Sequence, residues 1–294
     1  MNVLVLGSNG QVGSHLRNCL PQARFWTRND LDLADTSQIE ARVTALAPDV
    51  IVNCAAYTAV DTAEEDPAGA WQINAQAPSC LAAAARTTGA HLIHFSTDYV
   101  FSGESDKPYT ASDPTIPINT YGRTKLGGEL AIQAIAPSYW IFRTSWVFSE
   151  YSKNFVKTII RLAQERDGLS VVSDQVGVPT DAQQLASATA ELVSGNAMRN
   201  LASGTYHLTG PVSTSWYEFA AAILQRAKDQ HLIASPYAQL TKISTAEYPT
   251  LAARPMSSVL RPDQEVLDEI ETRFDWEAGL QRVICAMHET EKTT

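Results

Sequence analysis

The strongest constraint on this chain is the spacing of Gly7, Gly10 and Gly13. This GxxGxxG follows the short apolar run Val3–Leu6 and precedes Val12, Leu16, Cys19 and Leu20, which recur at helical spacing. A continuous apolar run reads as a strand buried on both faces, so the glycines form a strand–turn–helix junction. The first allows a tight turn, the second lets backbone approach a pyrophosphate, and the third lets helix and strand pack closely. Three glycines also occur in ordinary turns, and it is the strand-before, helix-after setting that points to a dinucleotide. Asn9, Gln11 and Val12, interleaved with them, are candidates for the same ligand.

The alternation continues along the chain. Strands are expected at Ala23–Thr27, Asp49–Cys54, His91–Ser96 and Trp140–Phe142. The helices between them are one opened by a capping box at Ser37–Glu40, one over about 67–88 and one over about 121–136. Apolar strands alternating with amphipathic helices predict an α/β fold, a doubly wound parallel (Rossmann) sheet. After about residue 149 the rhythm loosens into a helix at Asn154–Arg166, a strand at Leu169–Ser173, a helix at Asp181–Ser194 and a strand at Gly204–Gly210. A helix at Trp216–Lys228, an irregular stretch over 235–262 and helical pattern around 264–289 follow. The expected division is residues 1–148 with about 171–212 in the dinucleotide-binding domain, and 149–170 with about 213–294 in a smaller α/β substrate lobe.

Composition narrows the partners. With 22 Lys and Arg against 32 Asp and Glu, the formal charge is −10, which argues against nucleic acid and anionic membrane surfaces. Any anionic ligand must be met by a few placed cations and backbone N–H groups. The start MNVLVLG reads as no leader, and no apolar stretch reaches the length of a membrane span. Four scattered cysteines without ligand spacing read as reduced, mostly buried thiols of a cytoplasmic protein.

At the end of the second strand an acid would bond a ribose 2′-hydroxyl and repel a 2′-phosphate. This chain has FWTRND there, placing Thr27 and Arg28 at that contact. A guanidinium suits a 2′-phosphate, so NADPH is expected in preference to NADH, with Asp32 and Leu33 flanking the adenine. Further on, Tyr121 and Lys125 lie four apart at a helix start and so face one way. YxxxK alone is weak, but downstream of a dinucleotide turn it is a general acid with its tuner. A nearby ammonium is expected to draw the phenol from about 10 toward neutrality, roughly three pH units or about 4 kcal/mol. Thr97, at the carboxyl end of a parallel strand, can bond a substrate carbonyl oxygen.

GxxGxxG, Asn53–Thr58 (NCAAYT), STD and YxxxK, in that order, resemble the extended short-chain dehydrogenase/reductases. More narrowly, AAYTAVDTAE, INA, STDYVF, YGRTKLGGE, FRTSWVF, DQVGVPT and EYPTLAARPMSSVL are similar to the dTDP-4-dehydrorhamnose reductase family over nearly the whole chain. The resemblance implies Thr97, Tyr121 and Lys125 as the catalytic set, and Ala55, Ala56, Tyr57 and Asn74 as further cofactor contacts. It implies Val60, Asp98, Tyr99 and Trp146 as walls of a sugar pocket, Trp146 also being readable as a plain core aromatic. Asn154 and Arg254 become candidates for the nucleotide end of the substrate, since a diphosphate needs a cation.

The implied reaction is NADPH-dependent reduction of the C4 keto group of dTDP-4-dehydro-β-L-rhamnose to dTDP-L-rhamnose. The alternatives are a reductase of another nucleotide-linked 4-keto-6-deoxy sugar, or a non-catalytic cofactor-binding subunit. Related dehydratases carry Thr-Asp-Glu where this chain reads Thr97-Asp98-Tyr99, which favours reduction over elimination. Some members hold a divalent cation between subunits through two Glu residues. The matching places here are His15 and Gln183, so no metal is expected, and a monomer or metal-independent homodimer is. Asp61, Glu64, Glu65 and Asp66 read as a solvated face.

Overall fold

The computed structural model describes residues 1–293. The first half runs β1 (Val3–Leu6), α1 (Gln11–Cys19), β2 (Arg24–Trp26), α2 (Thr36–Leu46), β3 (Val50–Asn53), α3 (Val60–Glu65), α4 (Pro67–Trp71), α5 (Ala77–Thr88), β4 (His91–Thr97), α6 (Thr120–Ile135) and β5 (Tyr139–Thr144). A π-helical turn, Gln72–Gln76, joins α4 to α5. The second half runs β6 (Val147–Phe148), α7 (Phe155–Glu165), β7 (Gly168–Val172), β8 (Val176–Gly177), β9 (Thr180–Asp181), α8 (Ala182–Ser194), α9 (Ala197–Asn200), β10 (Gly204–His207), β11 (Thr214–Ser215), α10 (Trp216–Asp229), β12 (Gln239–Ile243), α11 (Gln264–Leu267) and α12 (Trp276–Thr293).

Six strands form one sheet in the order β10-β5-β4-β3-β1-β2, every pair parallel. Alternate residues of each strand serve opposite faces: Val3 and Val5 pack with Leu16, Leu185 and Leu192, while Leu4 and Leu6 pack with Ile39, Val43 and Leu81. Both faces are therefore covered, as the uninterrupted apolar strands require. The strand order reverses between β1 and β3, and open α/β sheets bind ligands at the carboxyl ends flanking such a switch.

The smaller lobe has its own core, in which Phe148, Ile160, Leu169, Phe219, Ile223, Trp276 and Val283 pack together. β7 pairs over its full length with β12, so the expected border at 170/171 runs through a strand. Val266, Ile270 and Phe274 pack with the sheet cluster rather than the small-lobe core. One local expectation fails: α2 is capped by Asp35, which accepts from the Ser37 N–H, and not by a Ser37–Glu40 box. The acid two residues earlier reaches the free N–H groups first. The four cysteines are free thiols, each part-buried rather than enclosed.

Candidate active site

Gly7 sits at φ +73°, and a Cβ there would lie 2.6 Å from the Ala55 nitrogen. A Cβ on Gly13 would collide with the Gly7 carbonyl oxygen. The turn after β1 is thus closed to side chains where it abuts β3. Gly10 caps α1 without a side-chain bond, leaving the first N–H groups of the helix facing the switch point. Around this cradle, Gln11 Nε2 donates to the Val147 carbonyl at 3.1 Å, the Asn9 carbonyl accepts from Ser152 at 3.1 Å, and Val12 packs on the sheet core. Ala55 N–H donates to Asn53 Oδ1, and the Asn74 amide clamps both the N–H and the carbonyl of Tyr57. Asn74 is buried and also donates to Thr124, so it stands behind the Ala55–Ala56–Tyr57 loop rather than in front of it.

At the end of β2, Thr27 bonds Asp30 through both its N–H and its hydroxyl. The Arg28 side chain is 76% exposed, with Nε 3.2 Å from Asp32 Oδ2. Leu33, expected against an adenine, is buried with Leu4, Leu6 and Ile39.

Thr97 ends β4, where its hydroxyl donates to Asp98 Oδ1 at 3.0 Å and accepts from the Tyr99 N–H at 3.2 Å. Tyr121 lies in the first turn of α6, which is held from two sides. Asn119 Oδ1 caps Gly122 N–H at 2.8 Å, and Glu64 accepts from the Thr120 N–H and hydroxyl at 2.7 and 2.6 Å. Residue 122 must be glycine, because a Cβ would strike the Tyr99 carbonyl. The Tyr99 ring meets Tyr121 edge to face at 5.8 Å. Lys125 is buried, with Nζ 2.7 Å from the Phe95 carbonyl and 3.3 Å from His94 Nε2.

The ionisation of this group corrects the expectation from YxxxK. Burial pushes Tyr121 up to about 12, against the pull of the Thr97 hydroxyl and with the Asp98 charge adding to the rise. Burial lowers Lys125 to about 8, opposed by Glu129. The ammonium is directed at a carbonyl and an imidazole, and the desolvation of the phenol prevails. Asp98, also enclosed, is raised by burial to about 6. A phenol that holds its proton at neutral pH is an acid and not a base, which suits donation to a forming alkoxide.

Beside Tyr99 opens a cleft of about 540 Å³, lined among others by Asp61, Phe155, Arg166, Trp216 and Arg254. Arg254 Nη2 pairs with Asp61 Oδ2 at 2.7 Å, which fixes the guanidinium at the wall. Val60, part-buried, opens α3 next to Asp61. Trp146, at φ +47°, stacks on Trp216 with centroids 3.5 Å apart and packs against Gly177, so it supports the aromatic wall. Asn154 behaves otherwise than expected: its Oδ1 caps α7 at Lys157 N–H and its Nδ2 donates to the Ser149 carbonyl at 2.6 Å. Both ends of that amide are already used within the 149–157 turn.

Over residues 1–289 the chain matches the family described as RmlD substrate binding domain. The dTDP-4-dehydrorhamnose reductase of Burkholderia thailandensis is 44% identical, covering 88% of this chain and 90% of that protein. The chain belongs to the dTDP-4-dehydrorhamnose reductase family. Solved members superimpose closely: one from Clostridium acetobutylicum has a TM-score of 0.89 at 36% identity, covering 98% of this chain and 99% of its own. Another, from Bacillus anthracis in complex with NADP, has a TM-score of 0.87 at 35% identity, covering 97% and 100%.

Sequence reasoning missed several members of this reductase's site. The acidic run read as a solvated face has fixed partners: Asp61 holds Arg254, Glu64 braces α6, and Asp66 caps α4. Arg166 and Trp216 arrive from α7's end and from α10, with no local pattern to mark them. At the lobe junction, Arg282 reaches Glu150 at 2.9 Å and Asp181 at 2.8 Å, and His15 faces Glu150 at 3.4 Å. Gln183 contributes its backbone N–H to Asp181. Burial would raise Glu150, but His15 and Arg282 hold it down to about 2. The Arg282 guanidinium pairs with both of these carboxylates.

Proposed function

We propose that the protein reduces the C4 keto group of dTDP-4-dehydro-β-L-rhamnose with NADPH, giving dTDP-L-rhamnose. The observation that carries this reading is the convergence of Thr97, Tyr121 and Lys125 at the carboxyl edge of the sheet, next to the cleft that contains Arg254. The cradle at Gly7, Gly10 and Gly13, with the open α1 N-terminus, supports the reading of a pyrophosphate site, and the exposed Arg28 would meet a 2′-phosphate. When bound, the nicotinamide supplies the hydride. Tyr121 gives its phenolic proton to the oxygen at C4 as the C–H bond forms, so carbonyl, hydride and proton balance to an alcohol. Thr97 orients the carbonyl, and Lys125 holds the ribose. Tyr99 and the Trp146–Trp216 stack shape the sugar side, and Arg254 meets the diphosphate from a position Asp61 has already set.

Among the described residues no helix is long and apolar enough to cross a membrane. We place the reaction in the cytoplasm, where nucleotide substrate and cofactor would both be supplied. The test is to supply enzymatically generated dTDP-4-dehydrorhamnose with NADPH or NADH, follow nicotinamide absorbance and identify the sugar formed. Faster oxidation of NADPH, with dTDP-L-rhamnose as product, is expected. Cofactor binding without oxidation would replace this reading with that of a non-catalytic subunit.

A further inference from the structure

β2 is an edge strand of the main sheet, and its last two residues carry aromatic rings on opposite faces. Phe25 packs with the cluster that includes Leu16, and Trp26 with the one that includes Ile39. Each ring holds a guanidinium. Arg17 of α1 lies over Phe25 at 4.9 Å, and Arg42 of α2 over Trp26 at 5.4 Å. Arg17 has a second tie, because its Nη2 donates to Ser8 Oγ at 2.8 Å. Ser8 is fully buried in the glycine turn, and its N–H donates to the Trp26 carbonyl at 3.3 Å. The glycine turn and the end of β2 therefore meet at Ser8, and Arg17 is fastened at that junction.

A dinucleotide with its pyrophosphate on the α1 N-terminus lays its adenosine ribose toward the end of β2. Three arginines lie around that end, and their surroundings differ. Arg28 is 76% exposed with its Nε at Asp32, so solvent and a carboxylate both weaken its pull on an anion. Arg42 belongs to the far face of β2 and has no tie to the glycine turn. Arg17 spends one of its five donors on a neutral hydroxyl and forms no ion pair among the described residues. Its charge is left for a ligand, and the contacts with Phe25 and Ser8 restrict its rotamers before any ligand arrives. A carboxylate also stands here. Asp30 accepts from the Thr27 N–H and hydroxyl, and these bonds, with Arg42 and Arg17 adding, hold it below the ordinary carboxylate range. A phosphate brought close to this charged acid needs a fixed cation beside it.

We infer that Arg17 is a specificity-determining residue of the cofactor site, meeting the 2′-phosphate of NADPH from the junction of the glycine turn and β2. Arg28 is then the outer, more strongly screened cation of the same subsite. This rests on the reductase reading, which calls for the cofactor, and it names the side chain that separates NADPH from NADH.

The test is isothermal titration calorimetry of the full-length protein with 2′,5′-ADP and 5′-AMP, which differ only in the 2′-phosphate, and with NADPH and NADH. Arg17→Met keeps an apolar stem on Phe25. It should weaken 2′,5′-ADP and NADPH by about ten- to hundredfold and hardly affect 5′-AMP and NADH. Arg17→Lys, a charge without the planar fork, should recover part of the loss. Arg42→Met should leave the discrimination as it is. Equal losses for ligands with and without the 2′-phosphate would make Arg17 a brace of the turn and overturn the inference. Unchanged binding in Arg17→Met overturns it as well, as does an equal loss of discrimination in Arg42→Met. None of these titrations involves the keto sugar or turnover, so their failure is distinct from a failure to oxidise NADPH.

Discussion

Beneath α6, Glu129 and Arg143 pair bidentately, and Lys125 lies one turn away against a carbonyl and a neutral imidazole. At the lobe junction, Arg282 lies between Glu150 and Asp181 with His15 alongside. Burial acts on both cations in the same sense, toward loss of the proton. For Arg282 the two carboxylates overcome it, and its proton is held more tightly. Lys125 has no carboxylate to itself, since Glu129 is taken by Arg143, and its proton is loosened to about 8. Similar side chains thus serve cohesion where their charges are answered and chemistry where they are left under-answered.

Substitutions in the two clusters should separate these roles. The largest effect is expected from Tyr121→Phe beside the under-answered lysine: turnover falls by about 10²–10⁴-fold while NADPH affinity stays near wild type. Steady-state kinetics with fluorescence titration of the cofactor checks this, and wild-type turnover would remove Tyr121 from the mechanism. Arg282→Met should do the reverse. It strands two enclosed carboxylates and costs about 3–5 kcal/mol of stability by urea unfolding, while the folded fraction keeps its turnover. An unchanged midpoint would mean that solvent already screens the junction.

The same cluster sets an acid limit. Glu150 is held at about 2 against an ordinary 4.5. Its contribution, on the order of 3 kcal/mol, is therefore fully present above about pH 4.5 and lost as pH falls toward 2. Unfolding midpoints measured from neutral pH down to about 3 should show this decline, and Arg282→Met should flatten it. A slope indifferent to Arg282 would assign the acid limit to other carboxylates. The smallest effect belongs to Arg28, which is mostly exposed: Arg28→Ala should weaken NADPH by up to about tenfold and NADH hardly at all. Equal losses for the two cofactors would make Arg28 an ordinary surface charge.

The doubly wound sheet was legible because strand burial on two faces leaves continuous apolar runs, and Val3–Leu6 and residues 50–52 show them plainly. The glycine turn after β1 was legible because backbone that must approach other backbone admits only glycine, as at Gly7 against Ala55. Asn154 and Leu33 have partners that the sequence reading did not expect, for a common reason. Both lie where the chain could face a ligand, and each is claimed instead by a nearer partner, a helix N-terminus for one and the apolar core for the other. Asp61 and Glu64 were hidden in an acidic run, since nothing local distinguishes a carboxylate that pairs 193 residues away from one that meets water.

Residue order alone determined which segments become strands and helices, where backbone must pass close to backbone, and that Tyr121 and Lys125 share one face of a helix. These are consequences of periods of two and of 3.6 residues and of missing Cβ atoms, all of which act over a few positions. Only the tertiary structure decided what those side chains do. Enclosure raised Tyr121 where the motif by itself promised depression, the facing strand set His94 and Asn53 behind Lys125, and α12 carried Arg282 to carboxylates more than a hundred residues earlier. Charge state depends on desolvation and on partners within a few ångströms, and those are fixed by packing between elements that sequence distance does not record.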